Sequence, residues 1–167
     1  VNIVVQDLFA KYPSVAALAE AEPEDIEAIV KPCGLGRSKA RDISACMRML
    51  RDKYDCKVPT TFEELLALPG VGRKTANLIL GDVYGQPAYV CDTHCIRITG
   101  RLGITDGSKD PVQVERQLRE VLPPKESNNF CHRMVLFGRD TCTARSPKCE
   151  GCPLAKDCDT RKAAKKA

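Results

Sequence analysis

Apolar residues recur at helical spacing along almost the whole chain, as at Ala40, Ile43, Met47 and Leu50, and no segment sustains the period-two alternation with β-branched enrichment that a strand requires. The expected fold class is therefore all-α. Boundary signals divide the pattern into seven or eight helices. Pro23 stands as a first helical residue before Ile26, Ile29 and Val30, Ser38 opens the next helix, Thr61 and Glu64 have capping-box spacing, and Asp110-Pro111 precedes Val114, Leu118 and Val121. Breaks are expected at Pro32-Cys33-Gly34, Val58-Pro59, Pro69-Gly70-Val71-Gly72, Gly103 to Gly107 and Pro123-Pro124. One more apolar helix, Phe130 to Phe137, is expected to close at Gly138.

A length of 167 residues suffices for a real core, and 43% hydrophobic with 29% charged residues argues against disorder. No run of about 18 apolar residues occurs, which argues against a membrane span. The net charge of +4 is supplied by Arg161, Lys162, Lys165 and Lys166 at the end of the chain, so the body is neutral and only local clustering bears on nucleic acid. Aromatic residues are 5% and Trp is absent, too few for a surface that grips single strands by stacking. Ten Cys with no export signal over Val1 to Asp7 point to reduced, buried or metal-bound thiols in a reducing, cytoplasmic compartment, close to the nucleoid if the source is prokaryotic.

Beyond Arg139 the helical pattern gives way to Cys, Pro, Gly and charge. Leu154 and Ala155 cannot form a core for such a lobe, so an inorganic centre is expected to hold it. Cys142, Cys149, Cys152 and Cys158 stand in the pattern C-x6-C-x2-C-x5-C, with Pro147, Gly151 and Pro153 bending the chain between them. An all-cysteine zinc site usually comes as two C-x2-C pairs, and only one such pair is present. The unequal gaps suit a cubane with ligands on separate irons, while thiolate chemistry leaves zinc open. Arg145 and Lys148, inside the first gap, are candidate phosphate contacts.

Phe62 to Leu68 reads as a short helix, Pro69 to Gly72 as a tight turn, and Arg73 to about Tyr84 as a second helix with Ala76, Leu78, Ile79, Leu80 and Val83 on its buried side. Glycines at 70 and 72 permit positive φ and a close backbone approach, and the N–H groups opening the second helix would form an anion nest suited to a DNA phosphate. Lys74 falls in the first turn of that helix, where the dipole and Arg73 disfavour its ammonium form. A lysine of ordinary pKa is neutral about once in 2,500 at pH 7, so a nucleophilic role calls for a lowered value. Asp92, in Val90-Cys91-Asp92-Thr93-His94, precedes an apolar helix, where it can cap and also exchange a proton or stabilise a cationic sugar.

The stretch Leu68 to Asn77 (LPGVGRKTAN), then Val90 to His94, then the four-cysteine run, in that order, resemble the endonuclease III family of DNA glycosylases. The resemblance spans Val1 to about Cys158 and includes Gly34-Leu35 and Phe137-Gly138-Arg139. It implies a helix-hairpin-helix DNA glycosylase fold, with a helical barrel over residues 1–138, the hairpin motif at about 62–84, a small iron–sulfur lobe over 139–160 and a basic tail over 161–167. By the same resemblance Cys142, Cys149, Cys152 and Cys158 would ligate a four-iron four-sulfur cluster. Lys74 would attack the sugar C1′ and form a Schiff base that permits β-elimination, and Asp92 would be the catalytic aspartate. Gly70, Val71, Gly72, Arg73 and Thr75 would contact double-stranded DNA carrying a damaged base or abasic site. The implied enzyme is a monomeric glycosylase and AP lyase for oxidised pyrimidines, and the lysine at position 74 separates it from adenine-removing and thymine-mismatch relatives. A non-catalytic, truncated DNA-binding module is the alternative. Family members also carry some tens of residues upstream of the segment matching Val1, including a barrel helix and a polar loop that enters the space of the flipped base.

Cys91 and Cys95 are expected to be core thiols rather than ligands with His94, and His132 a hydrogen-bonded residue on a helix face.

Overall fold

Four helix starts follow the capping chemistry of the sequence, at Ser14, Thr61, Asp92 and Asp110. In the computed structural model, which describes residues 2–164, Asp110 accepts from Val112 N at 3.0 Å to open one helix, and Ser14 accepts from Ala17 N at 3.1 Å to open another. The helices are α1 (Asn2–Lys11), α2 (Val15–Ala19), α3 (Pro23–Val30), α4 (Gly36–Tyr54), α5 (Phe62–Ala67), α6 (Arg73–Leu78), α7 (Thr93–Leu102), α8 (Pro111–Val121), α9 (Ser127–Asp140) and α10 (Asp159–Ala164). No strand occurs among the described residues, and no helix among them is long and apolar enough to cross a membrane. The all-α expectation holds, with short α2 and α10 added where the periodicity was too brief to read.

The chain packs as two compact units, Val1–Ala76 and Asn77–Ala167. In the first, Leu8, Leu18, Ala21, Ile26, Val30 and Ala40 form a core against which Ile43 and Met47 of α4 pack, as their spacing predicts. In the second, Tyr89, Val90, Cys95, Ile98, Val114, Leu118, Cys131 and Met134 form the core, with Phe137 and Cys142 packed on it. Residues 139–160 belong to this second unit, so the expected boundary at residue 138 marks a change of chemistry within one packed body.

Four local expectations change. The helix expected to open at Ser38 opens at Gly36, after Leu35 in left-handed conformation (φ 53°). The second hairpin helix is regular only to Leu78 and widens into a π-helical turn over Ile79–Val83. That wider turn changes the register, leaving Val83 65% exposed and turning Gly81 toward Asn128 of α9, where a Cβ would come within 2.5 Å of Asn128 Oδ1. Gly138 does not end a helix but lies buried inside α9, where a Cβ would strike the His94 ring and stand 2.9 Å from Arg97 Nη2. A glycine here permits two helices to touch. Finally, Arg161 and Lys162 of the expected basic tail lie in α10, and Lys162 Nζ binds the Asp157 carbonyl and Asp159 Oδ1, each at 3.2 Å. Lys165 and Lys166 lie outside the described residues.

Candidate DNA-repair site and cluster lobe

The hairpin begins with Thr61, whose hydroxyl oxygen accepts from Glu64 N at 3.3 Å and donates to Glu64 Oε2 at 2.7 Å. This is the N-cap half of the expected capping box, with the Glu64 carboxylate on the Thr61 hydroxyl instead of its N–H, and it fixes where α5 starts. Leu65 and Leu68 are buried, and the chain then reverses through Val71 N, which donates to the Leu68 carbonyl at 3.1 Å. Gly70 takes φ 74°, and a Cβ there would stand 2.8 Å from Asp42 Cβ of α4, so both the backbone conformation and the packing exclude a side chain. Gly72 does not use the positive φ expected of it; it stands exposed, with nothing within 4 Å of a Cβ, and its carbonyl accepts Ala76 N at 2.9 Å. The open space makes it an approachable backbone rather than a conformational necessity.

Lys74 and Thr75 are exposed at the opening of α6, and Val71 is half-buried. Arg73 folds back over Phe62 with its guanidinium 4.7 Å from the ring centroid, which braces the two arms of the hairpin. Lys74 belongs to the first unit and Asp92 to the second.

Asp92 is 9% exposed and opens α7, its Oδ1 accepting from His94 N and Cys95 N, both at 2.9 Å. The expected N-cap is thus present and bifurcated. Cys95 is fully buried, and hydrogen bonding to the Cys131 and Cys91 sulfurs, with burial, raises its thiol pKa far above the ordinary value. These are core thiols, as expected. His132 lies on the exposed face of α9, with Nε2 2.7 Å from Asp82 Oδ1, and Asn128 Nδ2 donates to the same oxygen at 3.0 Å. Donation by Asn128, then by His132, holds the Asp82 carboxyl below its usual range.

Cys142, Cys149, Cys152 and Cys158 line one cavity of about 170 Å³ together with Arg101, Phe137, Lys148 and Arg161. Among the described residues no three Cys, His, Asp or Glu side chains lie close enough for a single metal ion. Four sulfurs lining one space are the donor set of an all-thiolate metal centre, iron–sulfur or zinc. The loop is fixed at its base by Cys142 N donating to the Phe137 carbonyl at 2.8 Å and Lys148 N donating to the Thr141 carbonyl at 3.0 Å. Arg145 is exposed on this loop, and Lys148 Nζ lies 3.7 Å from Asp140 Oδ1, a long surface contact that leaves it free to turn toward an anion.

One feature escapes the sequence patterns. Leu35 is 82% exposed in left-handed conformation between two glycines, and Lys39 Nζ clamps the turn by donating to the carbonyls of Cys33, at 3.1 Å, and Gly34. A branched apolar residue held outward on a strained tip points to a contact with another molecule. The only signal in the sequence was the Gly34-Leu35-Gly36 triplet.

Residues 1–124 match the HhH-GPD superfamily of base excision DNA repair proteins, and residues 142–158 match the iron–sulfur binding domain of endonuclease III. Endonuclease III of Synechocystis sp. is 40% identical over 164 residues, covering 98% of this chain and 74% of that protein. Among solved structures, a non-covalent endonuclease III–DNA complex superposes with a TM-score of 0.92 at 39% identity, covering 99% of this chain and 78% of the other. A trapped endonuclease III–DNA covalent intermediate superposes with a TM-score of 0.92 at 40% identity, covering 98% and 77%.

Proposed function

The chain belongs to the endonuclease III family of base excision DNA repair proteins, and from that premise we propose that it acts on duplex DNA through Lys74 and Asp92. It is a DNA glycosylase with AP lyase activity, its partner is DNA, and its cofactor is a four-iron four-sulfur cluster. Oxidised pyrimidines are the substrate class we assign, and the cytoplasm the compartment.

The observation that carries the reading is an exposed lysine opening α6 directly after a turn whose Gly70 tolerates no side chain. Gly70, Val71, Gly72 and Thr75 present backbone and hydroxyl to a phosphate, without base preference, while Arg73 braces the hairpin and adds positive charge. Arg145 and Lys148 offer a second phosphate contact from the sulfur-lined loop. Leu35 is suited to wedge between base steps; partial unstacking costs a few kcal/mol, which local phosphate contacts offset even on a neutral body.

Uncharged Lys74 Nζ forms a bond to the sugar C1′ as the glycosidic bond breaks, the electron pair leaving with the base, which takes a proton. Asp92 accepts a proton from the lysine nitrogen and stabilises the cationic sugar. The nitrogen lone pair then breaks the C1′–O4′ bond, O4′ takes a proton, and the resulting iminium acidifies C2′; loss of the C2′ proton expels the 3′ phosphate, and hydrolysis of the Schiff base returns Lys74. Cys142, Cys149, Cys152 and Cys158 would hold the cluster as thiolates, at the base of the loop that carries Arg145 and Lys148.

Borohydride reduction in the presence of abasic duplex tests this directly. A covalent complex that disappears in Lys74→Ala is expected. Duplex binding by the intact chain without any adduct would refute the enzyme and leave the non-catalytic module.

A further inference from the structure

Arg101 stands in the last turn of α7, outside every motif that marks the family resemblance. Its guanidinium reaches the loop after α9 and makes three bonds there. Nη1 donates to Cys142 Sγ at 3.3 Å and to the Thr143 carbonyl at 2.8 Å, and Nη2 donates to the Ala144 carbonyl at 2.8 Å. The backbone carbonyl of the same residue receives the Cys158 thiol at 3.3 Å and the Thr160 hydroxyl at 3.1 Å. A cysteine bound to iron carries no S–H, so in the loaded lobe the Thr160 hydroxyl is the donor that remains on this carbonyl. The neighbour of Arg101 one turn earlier, Arg97, holds the carbonyls of Cys142, at 2.9 Å, and Gly138, at 3.3 Å, but donates to no sulfur in this set of contacts.

We propose that Arg101 is a positioning residue that latches the start of the sulfur-lined loop through its guanidinium and the end through the Thr160 hydroxyl on its carbonyl, and that, through its N–H on Cys142 Sγ, it raises the reduction potential of the iron–sulfur cluster. The inference rests on the cluster assignment. A cation in the last turn of a helix is commonly explained by the helix dipole alone. The dipole does not require a planar fork spread over two carbonyls and a sulfur, and that fork is the arrangement arginine supplies and lysine cannot. Guanidinium stays charged at every accessible pH, so its donation to a cysteinate is permanent. A donor on a ligating sulfur withdraws charge and favours the state with one more electron, and partial burial of the contact strengthens that effect.

The test uses the full chain without DNA, so that its readouts are independent of repair activity. Iron and acid-labile sulfide, iron release to a chelator, and the one-electron reduction potential at an electrode are measured for the unmutated chain, Arg101→Lys and Arg101→Gln. A more negative potential in both variants is expected, larger in Arg101→Gln, with iron released several-fold faster. If Arg101→Gln does not fold, Arg101→Lys decides by the same two readouts. Faster iron loss at an unchanged potential would reduce Arg101 to a strut and overturn the proposal. Unchanged loss and potential would overturn it entirely, and an unmutated chain without iron would overturn both this role and the cluster.

Discussion

Replacing Asp92 separates its two roles, because Oδ1 alone accepts both backbone N–H groups at 2.9 Å and an asparagine carbonyl can do the same. Asp92→Ala removes the cap, about 1 kcal/mol. Because one of the two N–H groups left without an acceptor is that of fully buried Cys95, the loss here is raised to about 2 kcal/mol, the upper end for a cap. That loss corresponds to about 6 °C in Tm for a chain of this size. Asp92→Asn keeps both hydrogen bonds and loses the charge–dipole interaction, about 0.3–1 kcal/mol, or about 1–3 °C. Both variants lack a carboxylate, so both are expected to lose glycosylase turnover by about 10²–10⁴-fold. Thermal unfolding by circular dichroism and single-turnover base release from an oxidised-pyrimidine duplex measure the two effects. Should Asp92→Asn melt as low as Asp92→Ala, the bifurcated acceptor is not what stabilises α7. Should it turn over at the unmutated rate, Asp92 has no part in proton transfer.

Gly70→Ala is expected to cost about 1–2 kcal/mol, from left-handed strain and the approach to Asp42, whereas Gly72→Ala, in open space, leaves stability within about 0.5 kcal/mol yet weakens duplex binding; urea unfolding paired with DNA titration checks both. Gly138→Ala forces a methyl onto His94 and Arg97 and should lower stability by about 1–3 kcal/mol, visible in the same unfolding series. Leu35→Ala should leave the melting temperature unchanged because the side chain is exposed, while reducing base release from a paired lesion more than cleavage at an abasic site. The carboxyl of Asp82 is depressed in the folded chain, so the stability it supplies is present above about pH 4 and is lost as pH falls through its folded value. Asp82→Asn should therefore lower the urea midpoint slightly at pH 6 and not at pH 2, the gain being at most about 1 kcal/mol at this exposed site.

Much of this site was legible in the chain itself, and the residues explain why. Thr61, Asp92 and Asp110 announce helix starts because capping is local chemistry, decided within three residues. Four cysteines within 17 residues announce a metal lobe because their thiolate chemistry and the Pro and Gly bends between them are local in the chain. What sequence misread depends on partners distant in the chain. Gly138 looked like a stop, and only its neighbour on α7 shows it to be a crossing point. Val83 fits an apolar stripe at regular pitch, but the π-helical turn rotates it outward. Leu35 and Arg101 belong to no periodic pattern, since one is defined by exposure and strain and the other by contacts some forty residues away.

The helix that Asp92 opens is the same one whose final turn grips the sulfur-bearing loop, and its ten residues span about 15 Å. Such a strut is tied down at one end by covalent neighbours and at the other by guanidinium contacts. A displacement of the sulfur-bearing loop would therefore be transmitted along a rigid rod to the turn where the Asp92 carboxylate stands.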